Sequence, residues 1–341
     1  MKKNISVITG ATGHVGYALV KELEKNNENF RILVRRDSKL FDGIDCERAM
    51  GDVTDYDSLV KAFEGAEVVY HLAGVIEINK GNEEMTWKVN VEGTKNVVRA
   101  CKECGVKRLV YASSVDAYQP LPNNQLMSEL PHFDPEVLDG TYAKTKAVSA
   151  NYVFENNDDQ LETIVVYPGA CCGPYDFKKS SVGEMVRMFM GGKFPVSLAF
   201  GAYNFVDVRD VANGMYRAAK LGRPGEGYIL TDEMVTIDQL LHILADICGT
   251  KCPSFKLPLG MAKAVAPLME VYYDIMNATP LFTRYSIRKL TSNCNFSIEK
   301  AKNELGYKPM GARKSFADMV EWIAEYENAG AKNLKKSKAA E

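Results

Sequence analysis

The 341-residue sequence has no strong charge of either sign: 42 lysines and arginines face 44 aspartates and glutamates, for a formal net charge of −2 and a pI near 6.2. A balance of this kind offers no basic field to a nucleic-acid backbone, so nucleic acid is not an expected partner. Long apolar runs are missing too. The first, after Met1-Lys2-Lys3-Asn4, breaks at Gly10 and is too short for a secretory signal or a membrane span, which makes the expected setting cytoplasmic. Metal-ligand spacing is also scarce. Cys101 with Cys104 and Cys248 with Cys252 lack a second close Cys/His pair, so the eight cysteines read as reduced thiols and no metal site is expected. No clean linker divides the chain.

What is present is an alternation of β-branched runs with helical patterns. The expected strands are 5–9, 31–34, 68–72, 109–113 and 163–167, and the expected helices are 15–25, 56–63, 86–104 and 142–156. This is the pattern of βαβ units, and it predicts an α/β, Rossmann-like doubly wound parallel sheet with ligands at the carboxyl ends of its strands. Residues 1–167 form the expected dinucleotide-binding part, with 204–232 returning to it as a strand and an amphipathic helix. Residues 168–203 and 233–328 make a smaller, interleaved substrate-binding region, and 329–341 a frayed lysine-rich tail. Residues 255–282 are strongly apolar. They read as two core-facing helices broken by Pro258, Pro267 and Pro280, or as a hydrophobic cover over a substrate.

Thr9-Gly10-Ala11-Thr12-Gly13-His14-Val15-Gly16 follows the first strand and opens the first helix. Gly10 suits the tight turn, Gly13 a close backbone approach to a pyrophosphate, and Gly16 a close helix contact, with Thr12, His14 and Val15 beside the phosphates. The end of the second strand lacks the acid that would bind an adenosine ribose. Val34 stands there, followed by Arg35 and Arg36, whose guanidinium forks suit a 2′-phosphate. NADP(H) is therefore favoured over NAD(H), although Asp37 leaves NAD open. Further on, Asp52 and Val53 approach the adenine, and Leu72, Ala73 and Gly74 end a strand with little bulk where backbone meets cofactor.

Tyr142 and Lys146 are four residues apart and share one helix face. An ammonium beside the phenol is expected to favour phenolate and so fit Tyr142 for proton transfer at a carbonyl oxygen. Ser114 closes the strand before it, where its hydroxyl can hold a substrate oxygen. Asn90, in the preceding helix, can fix a water linking Lys146 to solvent.

Together these residues resemble the extended short-chain dehydrogenase/reductase superfamily, with its NAD-dependent epimerase/dehydratase members, to about Pro309. The resemblance also rests on Gly93-Thr94, Pro168, Gly173-Pro174 and the run from Phe205 to Ala212. It implies Tyr142 as general acid and base, Lys146 as the residue that tunes it and holds the nicotinamide ribose, and Ser114 as the donor to the substrate oxygen. It adds Tyr167, Pro168 and Gly169 around the cofactor, and Asp116, Tyr118 and Ala170 on the substrate side. Val34-Arg35 is similar to the dihydroflavonol 4-reductase and cinnamoyl-CoA reductase branch, and residues 280–284, Phe296-Ser297 and 305–309 are similar to both that branch and 3β-hydroxysteroid dehydrogenases, whose members act on bulky apolar carbonyl/alcohol pairs. The alternatives are a nucleotide-sugar epimerase or dehydratase with bound NAD, against which Val115-Asp116 replaces the usual acidic pair, and a non-catalytic dinucleotide sensor. The expected partner is a small-molecule substrate, with a homodimer left open.

Overall fold

A computed structural model describes residues 5–76, 82–119, 121–122, 125–194, 196–276 and 282–338. Its centre is a parallel sheet built in βαβ steps: β1 (Ile5–Thr9), α1 (His14–Lys25), β2 (Phe30–Val34), β3 (Glu47–Met50), α2 (Tyr56–Phe63) and β4 (Ala66–His71). Next come α3 (Glu83–Trp87), a π-helical turn (Lys88–Glu92), α4 (Gly93–Glu103), β5 (Arg108–Ala112), α5 (Thr141–Glu155) and β6 (Glu162–Pro168). The order across the sheet is β3-β2-β1-β4-β5-β6, closed by the later strand Glu226–Leu230. The order reverses between β1 and β4, and the crevice at such a switch point is where α/β sheets bind ligands.

Fully buried side chains on both faces explain why these strands are continuous apolar runs. One face packs Val69, Leu109, Val165 and Tyr167 against α2, α4 and α5. The other packs Ile8, Ile32, Val110 and Val166 against α1 and a later helix. Helix α1 forms because Ala18, Leu19 and Leu23 recur at helical spacing and all three are buried.

After β6 the chain builds a smaller unit. The elements that follow are β7 (Ala170–Cys172), α6 (Ser181–Met190), β8 (Ser197–Leu198), β9 (Ala202–Asp207), α7 (Val208–Leu221), β10 (Glu226–Leu230), β11 (Met234–Thr236) and α8 (Ile237–Cys248), of which α7 and β10 return to the large sheet. Then follow β12 (Lys256–Leu257), α9 (Leu259–Met276), α10 (Arg284–Leu290), α11 (Glu299–Leu305) and α12 (Ala312–Lys338). Strands β7, β9 and β11 form a second sheet, while α7 packs on α1 and β10 pairs with β6 in the large one. Phe205, Leu240, Leu244, Phe316 and Ile323 fill the core of the smaller unit.

Two expectations change here. Helix α9 runs through Pro267 without ending, and Met261, Leu268, Val271, Ile275 and Met276 on it are exposed, so this segment is not a pair of core-facing helices. Among its described side chains only Ala262 and Ala266 are buried, against Ile287. Pro280 and Leu281 lie outside the described residues, as do the side chains of Tyr272 and Tyr273. The backbone of α12 stays helical to Lys338, into the stretch expected to fray. Cys101 is buried in the main core, and among the described residues no group of three or more His, Cys, Asp or Glu side chains is arranged to hold a metal ion.

Candidate active site

The turn after β1 is drawn tight by glycines. Gly10 has φ +76°, and a Cβ there would sit 2.6 Å from the Ala73 backbone nitrogen. A Cβ on Gly16 would lie 2.2 Å from the Gly10 carbonyl oxygen. Gly13 differs, since its Cβ would meet only that oxygen, at 3.2 Å, and its other side is open. Gly13 is also the N-cap of α1, with no side-chain cap and no acid in the first turn. An open backbone cradle at an uncapped helix N-terminus fits a pyrophosphate.

His14 turns away from that cradle. Its Nε2 lies 2.8 Å from the Pro174 carbonyl oxygen, and burial depresses its proton affinity, so it ties the turn to the segment after β7. Thr12 points the other way and accepts from Lys178 Nζ at 3.1 Å. Val15 packs on the α1 side of the core.

At the end of β2, Arg35 and Arg36 are exposed. Arg35 has the Asp52 carboxylate 3.9 Å away, and Asp52 also accepts from the backbone N–H and hydroxyl of Thr54. Asp37 is engaged elsewhere, by Arg48 Nη1 at 2.7 Å. Val53 is buried against Gly93. Leu72, Ala73 and Gly74 leave β4 under the glycine turn, where Thr9 Oγ1 accepts from the Ala73 N–H at 3.3 Å.

The reacting groups meet at the carboxyl ends of β4 and β5. Ser114 Oγ accepts from the Asp116 N–H at 3.1 Å, which leaves its own hydrogen free to donate, and it is within hydrogen-bonding reach of the Tyr142 phenol. Lys146 is buried, donates to the Ala112 carbonyl at 2.8 Å and stands 5.9 Å from the Tyr142 ring centroid. Gly74 keeps this corner open, because a Cβ there would lie 3.5 Å from Lys146 Nζ and 3.2 Å from Asn90 Oδ1.

Electrostatics in this corner differ from the expectation. Burial, then the Asp116 carboxylate, push the Tyr142 phenol upward, and only the Ser114 hydrogen bond pulls it down among its main influences. Lys146 stands beside the phenol with its proton affinity lowered to about 8 by burial, and its ammonium donates to the Ala112 carbonyl. Asn90 also differs. Its Nδ2 donates to Val75 O and Thr145 Oγ1, both at 3.0 Å, and its Oδ1 accepts from the Val75 N–H at 2.8 Å, so its side chain positions the strand end beside Lys146 rather than offering a free site for water. The π-helical turn exposes its carbonyl, which accepts from the Thr94 and Ser149 hydroxyls at 2.6 and 2.8 Å.

Strand alternation separates the remaining residues. Tyr167 turns into the aromatic core, with ring centroids 5.2 Å from Tyr118 and 5.5 Å from Phe133, so its ring does not reach the crevice. Pro168 pairs with Leu230, Gly169 packs on the Asn204 carbonyl, and Ala170 begins β7. Asp116 and Tyr118 line a cleft with Met127, Tyr203, Lys289 and Phe296. Sequence reading missed Lys178, Tyr203 and Lys289, which come from irregular or late segments with no motif to mark them.

A family model described as the NAD dependent epimerase/dehydratase family matches residues 6–230. The chain belongs to that family. Within it, the sequence is 35% identical over 330 residues to sterol demethylase protein B of Methylococcus capsulatus, covering 94% of this chain and 98% of that one. It is 31% identical over 279 residues to 3beta-hydroxysteroid-dehydrogenase/decarboxylase isoform 1 of Arabidopsis thaliana, covering 76% of this chain and 62% of that one. The crystal structure of gox2253 superposes with a TM-score of 0.83 at 31% identity, covering 95% and 98% of the two chains. This family member is an NAD(P)-dependent oxidoreductase acting on CH–OH groups. Among the described residues no helix is long and apolar enough to cross a membrane.

Proposed function

We propose that this chain is an NADP(H)-dependent dehydrogenase that interconverts a carbonyl and a secondary alcohol on a bulky, largely apolar molecule of the sterol kind, with Tyr142 as general acid and base. The observation that carries the reading is the meeting of Ser114, Tyr142 and Lys146 at the strand ends that face the open glycine cradle. A bound nicotinamide supplies or accepts the hydride. Ser114 donates to the substrate oxygen and holds it beside the phenol. In reduction Tyr142 gives its proton to that oxygen as negative charge develops there, and in oxidation it takes the proton of the hydroxyl. Lys146, lowered to about 8 by burial, stands beside the phenol where it can pass a proton on from this buried corner. Asn90 holds the Gly74-Val75 backbone in place for both.

NADP(H) is favoured by Arg35 and Arg36 at the adenosine end, and by the capture of Asp37 by Arg48, which takes away the acid that would prefer a free ribose. An apolar substrate is favoured by the sterol names of the relatives. Lys289, the cation in the cleft lining, is already paired with Asp116, which leaves it ill suited to a nucleotide diphosphate.

The test is turnover of NADP⁺ and NAD⁺ by purified protein with 3β-hydroxysterols, flavonoids, simple alcohols and nucleotide sugars. Oxidation of a hydroxysterol with NADP⁺, lost in Tyr142→Phe, is the expected result. Tightly held NAD that copurifies with the protein, together with conversion of a nucleotide sugar, would replace this reading with an epimerase.

A further inference from the structure

Residues 173–180 leave β7 and fold back against the glycine turn, held by contacts from three directions. Pro174 meets His14, as described above. The Phe177 ring lies 5.1 Å from Tyr17 of α1 and 5.1 Å from Trp322 of α12, edge-on to both, with Tyr326 5.5 Å away. Asp176 is buried, accepts from the Ser180 N–H at 2.7 Å and pairs with Arg187 of α6 at 3.1 Å. These anchors hold Tyr175 and Lys179 at φ +74° and +54°, a conformation that non-glycine residues rarely adopt.

The result is the placement of one side chain. Lys178 Nζ reaches back to Thr12 Oγ1, and partial burial, followed by the charges of Arg35 and Arg36, lowers its proton affinity. Neither neighbouring arginine is well neutralised: Arg35 has only the carboxylate at 3.9 Å, and no ion pair is found for Arg36 among the described residues. The nearby Asp176 is committed to Arg187. Three cations held together at the edge of a dinucleotide crevice repel one another, and a phosphate monoester carrying about two negative charges relieves that repulsion.

We propose that Lys178 is a further cofactor-binding residue, a third cationic ligand beside Arg35 and Arg36 for the 2′-phosphate of NADP(H). The inference rests on the NADP reading above and adds to it a residue from the substrate-side half of the chain, so the smaller unit takes part in choosing the cofactor.

The experiment measures binding by the full-length protein, apart from activity: calorimetric titration with 2′,5′-ADP and 5′-AMP, and fluorescence titration with NADPH and NADH. Lys178→Met should weaken 2′,5′-ADP and NADPH about 10- to 100-fold and leave 5′-AMP and NADH within about 2-fold, as for loss of one charge-assisted contact. Lys178→Arg should recover most of the loss. Equal losses for both members of each pair, or no loss, would overturn the proposal. Arg35→Ala, run in parallel, separates the two levels. If Arg35→Ala costs NADPH selectivity and Lys178→Met does not, only the role of Lys178 fails. If wild-type protein holds NADPH no tighter than NADH, the NADP reading fails and this inference falls with it.

Discussion

Lys289 of α10 donates to Asp116 across the mouth of the cleft, Nζ to Oδ1 at 2.8 Å, and the Tyr203 hydroxyl shares the same oxygen at 3.2 Å. Asp116 lies two residues beyond Ser114, and its charge raises the Tyr142 phenol. Helix α10 therefore supplies the charge that balances the carboxylate nearest the reacting groups. Tyr142 is otherwise faced by Ser114, Tyr111, Cys171, Tyr203 and Lys146.

Lys289→Met leaves Asp116 charged without its cation, so the phenol holds its proton more tightly. The rising limb of kcat/KM against pH for alcohol oxidation should move to higher pH. Asp116→Asn should move it lower, and the double variant should sit near Asp116→Asn. A Lys289→Met profile identical to wild type would show that the pair does not act on Tyr142.

Tyr142→Phe removes one oxygen and leaves the glycine cradle and the adenosine-end cations unchanged. Turnover should fall about 100- to 10,000-fold while NADPH affinity changes little, read by steady-state kinetics and fluorescence titration.

Lys146 titrates near 10.5 when unfolded and at about 8 when folded. Between those values the unfolded chain binds more protons, so the burial cost is present below pH 8 and disappears as pH rises to 10.5. The stability of wild type relative to Lys146→Met should thus rise across that window, by at most about 3 kcal/mol. Urea denaturation of both proteins at several pH values measures it, and a difference that stays flat would mean Lys146 remains charged in the folded protein.

The glycines of the turn should separate stability from binding. Gly16→Ala drives a Cβ to 2.2 Å from the Gly10 carbonyl oxygen and should cost about 2 kcal/mol or more. Gly13→Ala meets only a 3.2 Å neighbour, so its melting temperature should stay near that of wild type while NADPH binds about 10-fold or more weakly, because the methyl fills the cradle.

Much of the large sheet was legible because its buried strands are unbroken β-branched runs, and β1, β2, β4, β5 and β6 match those runs to within about two residues. Strand β3 carries Glu47, Arg48 and Met50 at the sheet edge, mostly exposed, and so shows no apolar signal. The glycine turn and the Tyr142-Lys146 spacing are local features, which is why a sequence reveals them. The Asp116–Lys289 pair spans 173 residues, and Lys178 reaches Thr12 across 166, so no local pattern announces either. Nor did proline settle the matter in α9, where Pro267 is accommodated inside the helix.

The chain has two tryptophans, Trp87 and Trp322. Trp322 stacks on Tyr326 at 4.9 Å and touches Phe177, next in sequence to Lys178, whereas Trp87 is on the exposed side of α3. A Trp87→Phe protein would thus carry its single indole beneath the segment that reaches the glycine turn. Its emission spectrum is a built-in optical gauge of whether that segment shifts when a nucleotide arrives, with no dye attached.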